Sequence, residues 1–338
     1  MAKKMMRAVQ VSKAGAAFEL IEREVPEPAP QQVRIQVEAC GICHSDAYVK
    51  GGAFPGLSLP RIPGHEIAGR VDAVGANVTE WKKGDRVGVG WHGGHCFVCN
   101  ACRKGLFINC ERGQITGISY DGGYAEYVVV PREAVARIPE KIDATQAAPL
   151  LCAGITTYNA LRNSGARPGD TVAVQGIGGL GHLAIQYAAR MGFRTIAVSR
   201  GRDKEELARQ LGAYEYVDTE RVVAAEGLQK LGGADLVLAT APDSKAIAST
   251  VDGLKARGKL LIVAAPFEPL QVSALSLLSG KSIAGWPSGS SIDSEETVAF
   301  SVLEGVRPRV EVFKLEQAEQ AFARMMENRV RFRAVLTP

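Results

Sequence analysis

The 338-residue chain reads as an α/β protein with two folding units, an irregular β-barrel and a doubly wound parallel sheet. Three observations predict this. Up to roughly residue 150 the sequence consists of short runs of alternating apolar and polar residues, broken by frequent Gly and Pro. From residue 171 onward, β-type runs alternate with segments of helical spacing. At the start of that alternation, Gly176-Ile177-Gly178-Gly179-Leu180-Gly181 stands between a strand-like run and a helix-like one.

Composition narrows the partners before any motif does. With 46% hydrophobic and 22% charged residues the chain has an ordinary globular make-up, and its length accommodates two cores. Forty basic residues against 36 acidic leave a formal charge of +4, too small and too dispersed for a nucleic-acid or membrane surface. A small molecule is the expected partner. No apolar run reaches the roughly 18 residues that span a bilayer, and MAKKMMRAVQV has no apolar signal core, so a cytoplasmic location is expected. Of seven cysteines, four fall between positions 96 and 110, which in a reducing compartment points to metal rather than disulfides.

Taken in order, Pro26, Pro28 and Pro30 form a stiff entry to a strand. There Val33, Ile35, Val37 and Ala39 alternate with polar neighbours, giving one apolar face and one wet one. Further strands are expected at 67–74, 85–89 and 124–130. The first strand leads into CGICHSD, and GHE follows some twenty positions later. Cys43 and His65 make the thiolate and imidazole mix that zinc prefers, with Asp46 and Glu66 beside them to orient the imidazole. A core cysteine and a satisfied histidine would look the same in isolation.

WHGGHCFVCNACRKGLFINC carries Cys96, Cys99, Cys102 and Cys110 at C-x2-C-x2-C-x7-C spacing. Four thiolates on a short segment close a tetrahedral shell and leave no open position, so this metal is expected to be structural. His92 and His95 are alternative ligands. A run of free thiols would instead be an oxidation hazard.

Beyond residue 144, TQAAPLLCAGITTYNALR reads as a helix carrying Cys152. The strand at 171–175, the glycine turn and HLAIQYAARMG form strand, turn and helix, with Leu180, Leu183, Ala184, Tyr187 and Ala188 at helical spacing. In such a unit the first glycine permits the tight turn, the second lets backbone approach a pyrophosphate and the third lets helix and strand pack closely. Strands at 195–199, 235–239, 259–264 and 282–286, with helices at 203–211 and near 244–254, continue the doubly wound parallel sheet. After the connector PSGSS, helices at 294–304 and 316–327 and a strand at 333–336 return to the first unit.

With the four-cysteine lobe, the glycine turn and GHE together, the chain resembles the zinc-dependent medium-chain alcohol dehydrogenases over nearly its whole length. The resemblance implies a GroES-like catalytic domain, 1–153 with a structural-zinc lobe at 91–112 and 288–338, split around a Rossmann domain at 154–287. It implies an active site in the cleft between them and two zinc ions per chain. The catalytic zinc would be held by Cys43, His65 and Cys152, with Glu66 behind it as a transient ligand and Asp46 buttressing His65. Cys152, where sugar-alcohol relatives often have a glutamate, places the chain nearer enzymes of simple and aromatic alcohols. The chemistry implied is hydride transfer between an alcohol carbon and a nicotinamide, zinc acting as Lewis acid at the oxygen. Ser45 matches the residue that passes on the alcohol proton; its other reading is a turn or N-cap serine. His44 and Arg333 match positions touching the cofactor pyrophosphate, and Trp91 an aromatic wall of the substrate pocket. Tyr48 stands near that pocket where relatives often have a histidine, so the usual proton exit is interrupted or rerouted through water.

The second Rossmann strand ends in TIAVSRGRDK. NAD-specific relatives carry an acidic residue there, roughly 20 positions past the glycine turn, and this chain has Ser199. Arg200 follows, with Arg202 and Lys204 adding charge and Asp203 offsetting part of it, so NADP(H) is expected and NAD(H) is the alternative. Alcohols, aldehydes or ketones are the expected substrates and a homodimer or homotetramer the expected assembly. Two other readings are a zinc-knuckle nucleic-acid binder, against which the lobe is poorly basic, and a zinc-independent quinone reductase or inactive relative, against which Cys43, His65 and Cys152 occur together.

Overall fold

The alternation from residue 32 to 41 makes the longest strand, Gln32–Gly41, which buries Val33, Ile35, Val37 and Ala39. The computed structural model describes residues 3–338. It divides into two units, one running to Cys152 and resuming at Gly289–Pro338, the other Ala153–Ser288.

In the first unit, Gln32–Gly41 pairs antiparallel with Ile67–Val74 along one edge, and with Tyr127–Pro131 and Arg333–Thr337 along the other. Val310–Lys314 extends the sheet beside Arg333–Thr337, and Arg86–Val89 and Val135–Arg137 extend it beyond Ile67–Val74. Val33, Ile35, Ile67, Val87, Val128 and Leu336 share its core. Register shifts at Arg34/Ile35 and Val37/Ala39 bend the central strand. The expected strand at 124–130 begins only at Tyr127, because residues 122–124 bond a different partner. Gly122 N donates to Ile62 O (2.7 Å), Gly123 N to Gly64 O (2.9 Å) and Tyr124 N to Pro63 O (3.0 Å).

The expected continuous helix through Cys152 is broken. Ala144–Ala147 gives way to a 3-10 turn, Ala148–Leu151, and a new helix begins at Ala153–Arg162. Pro149 has no N–H to give a continuing α-helix, and Cys152 (φ −129°, ψ −74°) leaves the helical region altogether. The cysteine is thereby turned out of the helix axis.

The second unit is a six-stranded sheet, every pair parallel, in the order Glu215–Asp218, Arg194–Ser199, Thr171–Gln175, Ala234–Ala239, Leu254–Ile262, Ser282–Gly285. This is the doubly wound order, with its switch point between Thr171–Gln175 and Ala234–Ala239. Glu215–Asp218 is a strand that the sequence pattern did not single out. It is an edge strand with only Val217 fully buried, so hydrophobic alternation barely registers. The helix expected near 244–254 is shorter, Ser244–Ala248 followed by a 3-10 turn at Val251–Gly253. No helix among the described residues is long and apolar enough to cross a membrane.

The glycine turn leads from Thr171–Gln175 into the helix Gly181–Arg190, which buries Leu183, Ala184, Tyr187 and Ala188. Gly176 has φ +90°, and a Cβ on Gly181 would lie 1.9 Å from the Gly176 carbonyl oxygen, whereas one on Gly178 would meet no protein atom within 4 Å. The first and last glycines are therefore required by the protein's own packing and the middle one is not. Gly181→Ala should lower stability by about 1–3 kcal/mol through overpacking, and Gly178→Ala by less than about 0.5 kcal/mol, in chemical denaturation. Equal losses would show that the turn is not held in this way.

Candidate functional site

Antiparallel pairing aligns Cys40 with Ile67, so the residues that follow the first strand meet those that precede the second. Cys43 and His65 come together there, and the broken helix delivers Cys152. One donor atom from each of Cys43, His65, Glu66 and Cys152 lies within 4.8 Å of all the others. The Cys43 and Cys152 sulfurs are 3.8 Å apart, far beyond a disulfide and equal to the edge of about 3.8 Å of a tetrahedron with 2.3 Å zinc–sulfur bonds. A hydrogen bond from Cys152 and the charges of His65 and Arg333 hold the Cys43 thiol well below its usual range, outweighing burial.

His65 is buried, its Nδ1 3.5 Å from Asp46 Oδ1 and its Nε2 without a hydrogen-bond partner among the described residues. Asp46 Oδ2 accepts from the Cys43 amide at 2.8 Å. Glu66 pairs through Oε1 with Arg333, which also donates to the Ile42 carbonyl at 3.2 Å. Glu66 Oε2 and Arg333 Nε have no hydrogen-bond partner among the described residues. Burial drives the Glu66 carboxyl up to about 7, against the opposing charge of Arg333. Each unsatisfied buried polar atom costs about 1–3 kcal/mol, and His65 Nε2 and Glu66 Oε2 border the same thiol pair. Donor chemistry and spacing fit a zinc ion whose shell includes a cysteine pair and one imidazole.

Around this cluster, Trp91 sets its ring edge-on to His65, centroids 5.0 Å apart, and Phe54 packs at 6.0 Å on Trp91. Ser45 heads the short helix Asp46–Lys50, but its hydroxyl makes no capping hydrogen bond. His44 is exposed and Tyr48 half-buried in that helix. Arg333 is buried against Glu66 rather than displayed at the surface. Phe54 and Tyr124, whose hydroxyl donates to Asp46 Oδ2 at 2.8 Å, carried no signal in the sequence. One was hidden in a Gly-rich turn and the other in an expected strand.

The second cluster is Cys96, Cys99, Cys102 and Cys110, whose sulfurs all lie within 4.8 Å of one another. Cys99 and Cys110 are 3.8 Å apart, again the tetrahedral edge, and all four are free thiols. Backbone amides point at the sulfurs, Cys96 N at Cys110, Cys99 N at Cys96, Cys102 N at Cys99 and Arg112 N at Cys110, at 3.3–3.5 Å. Amide donation from Val98 and Cys99 pulls the Cys96 thiol down to about 6. His92 and His95 are not in this set; they bond each other at 3.1 Å and stack, and His95 also packs on Phe107.

In the second unit, Lys204 reaches back to donate to the Ile177 carbonyl at 3.0 Å, placing its ammonium at the glycine turn. Arg202 is not part of a basic cluster, since Glu205 holds it at 2.8 Å. Arg200 is exposed and forms no ion pair among the described residues, and Ser199 ends the strand beside it. Asp218, on the neighbouring strand, accepts from the Gly201 amide at 2.9 Å and so fixes the loop. His182, buried at the helix start, bonds Gly178 O at 2.9 Å.

Residues 29–140 match the alcohol dehydrogenase GroES-like domain and residues 179–302 the zinc-binding dehydrogenase domain. The chain is 49% identical over 323 residues to alcohol dehydrogenase patD of Penicillium expansum, spanning 96% of this chain and 95% of that one. Among solved structures it superposes on an NAD-dependent alcohol dehydrogenase with a TM-score of 0.91 and 30% identity, over 98% of this chain and 99% of that one. It also superposes on the CAD of Helicobacter pylori, solved with NADP(H), with a TM-score of 0.87 and 26% identity over 99% of both. A GroES-like domain, a doubly wound domain and full-length likeness to named alcohol dehydrogenases lead to one conclusion: the chain belongs to the zinc-dependent medium-chain alcohol dehydrogenase family.

Proposed function

We propose that this oxidoreductase uses two zinc ions per chain, one catalytic and one structural, and transfers a hydride between a primary or secondary alcohol and NADP(H). The observation that carries the catalytic part is the buried convergence of Cys43, His65, Glu66 and Cys152, with His65 Nε2 and Glu66 Oε2 lacking any partner. When bound there, zinc supplies a Lewis acid toward a substrate oxygen, and the nicotinamide supplies the hydride acceptor or donor.

The chain's own residues do the rest. Cys43, His65 and Cys152 hold the ion, and Asp46 fixes the His65 tautomer so that Nε2 is the ligating nitrogen. Glu66, kept close by Arg333, is an exchangeable fourth donor. Ser45, its hydroxyl free of any cap, accepts the substrate's proton and passes it outward. Trp91, with Phe54 behind it, forms an aromatic side of the substrate site, which suits simple or benzylic alcohols. Tyr48, a phenol where relatives often have an imidazole, is a poor base for the onward proton step. A zinc-free quinone reductase has no use for this donor set. Cys96, Cys99, Cys102 and Cys110 hold the structural ion.

For the cofactor, Gly176, Gly178, Gly179, Leu180 and Gly181 form the pyrophosphate turn, and the space over Gly178 supports backbone approach to phosphate. The structural relatives do not decide between the two nicotinamide forms. The chain's own loop favours NADP(H), because Ser199 offers no carboxylate to repel a 2′-phosphate, and Arg200 and Lys204 offer charge. A guanidinium–phosphate pair is worth on the order of 1.5–3 kcal/mol, about tenfold or more in affinity.

Metal analysis should return two zinc per chain. Cys43→Ala should abolish turnover with the fold retained, and Cys99→Ala should chiefly lower stability, as read by thermal unfolding beside the assay; active protein with less than one zinc per chain would overturn the two-site reading. For the cofactor, kcat/KM measured with both forms should favour NADP(H) by roughly tenfold or more, and Ser199→Asp with Arg200→Gly should reverse the preference. A parent that already prefers NAD(H) would refute the role of this loop.

A further inference from the structure

Tyr124 is completely buried, and its hydroxyl donates to Asp46 Oδ2 at 2.8 Å. The Cys43 amide donates to that same oxygen, also at 2.8 Å, while the other oxygen, Oδ1, faces His65 Nδ1 at 3.5 Å. Two donors on one oxygen fix the carboxylate's rotation and leave the second oxygen for the imidazole. A phenylalanine would fill the same core volume, so packing does not account for the hydroxyl.

Tyr124 also restrains His65 from the backbone side. Gly64, the preceding residue, has φ +102°, and a Cβ there would lie 2.4 Å from the Tyr124 ring. The Tyr124 amide donates to Pro63 O at 3.0 Å and the Gly123 amide to Gly64 O at 2.9 Å, so residues 123–124 clamp the segment that presents the imidazole.

We propose that Tyr124 is a positioning residue for the Cys43–His65–Cys152 centre, acting through Asp46: it holds the carboxylate so that Oδ1 retains the Nδ1 proton of His65 and Nε2 is directed at the metal. This rests on the reading of that cluster as a zinc centre. Losing such an outer hydrogen bond lowers metal affinity by roughly 10–100-fold.

The test is competition for zinc by a chromogenic chelator, using the full chain. Tyr124→Phe keeps the ring against Gly64 and should shift the step belonging to the Cys43 centre by roughly 10–100-fold, leaving the four-cysteine step where it was. Asp46→Asn should produce a similar shift alone, and adding Tyr124→Phe to it should change little further, because the two act in series. Parental retention in either single variant, or full additivity in the double, would overturn the proposal. Should Tyr124→Phe not accumulate as folded protein, Asp46→Asn still decides, since unchanged retention there leaves Tyr124 nothing to act through. A parent with only the four-cysteine zinc would instead remove the catalytic-centre reading itself, and this proposal with it.

Discussion

The buried ion pair between Arg333 and Glu66 is the constraint on which the catalytic half of the molecule depends. Glu66 lies wholly out of solvent, and an unpaired carboxylate there would cost several kcal/mol in lost hydration. Its partner comes from Arg333–Thr337, the last strand of the chain, which pairs with the end of Gln32–Gly41. The pair is weak evidence for net stability, because desolvation offsets most of the attraction. Its consequence is geometric. The Glu66 carboxylate is paired across nearly 270 positions, with the whole second unit lying between the two partners in sequence.

That separation also decides what was legible from residues alone. The four-cysteine group announces itself because its spacing is written in the sequence, and the glycine turn does so because strand, turn and helix are contiguous; Cys43 and His65 alone read equally well as core residues, and Cys152 joined them only through the family resemblance. What could not be read depends on contacts across the fold. Cys152 leaves its helix because of Pro149, which the helical spacing around it masked. Glu215–Asp218 is a strand by virtue of the neighbour it pairs with. Arg202 looked like part of a basic cluster until Glu205 claimed it, and nothing local says that His92 and His95 face each other. Tyr124 read as a strand residue, since nothing local says that its hydroxyl finds Asp46.

The two clusters solve one coordination problem by different means. The four-cysteine lobe is half exposed and directs backbone amides at its sulfurs, so its electrostatics come from chain conformation. The Cys43 centre is buried and directs side chains inward, with Asp46 and Arg333 as partners. Backbone donors survive most side-chain changes, whereas side-chain donors can be altered one at a time.

The glycine turn adds a point about descent. Gly176 and Gly181 are demanded by the protein's own atoms, one by its backbone angle and the other by the carbonyl against it, but nothing in the protein demands Gly178. A descendant of this chain that ceased to bind any dinucleotide would stay under pressure to keep the outer two glycines simply in order to fold. The middle position would be released, and a side chain could accumulate there without harm. On the proposed reading of the turn as a pyrophosphate cradle, that single residue would be the marker of living cofactor use, where the outer two glycines mark only the fold.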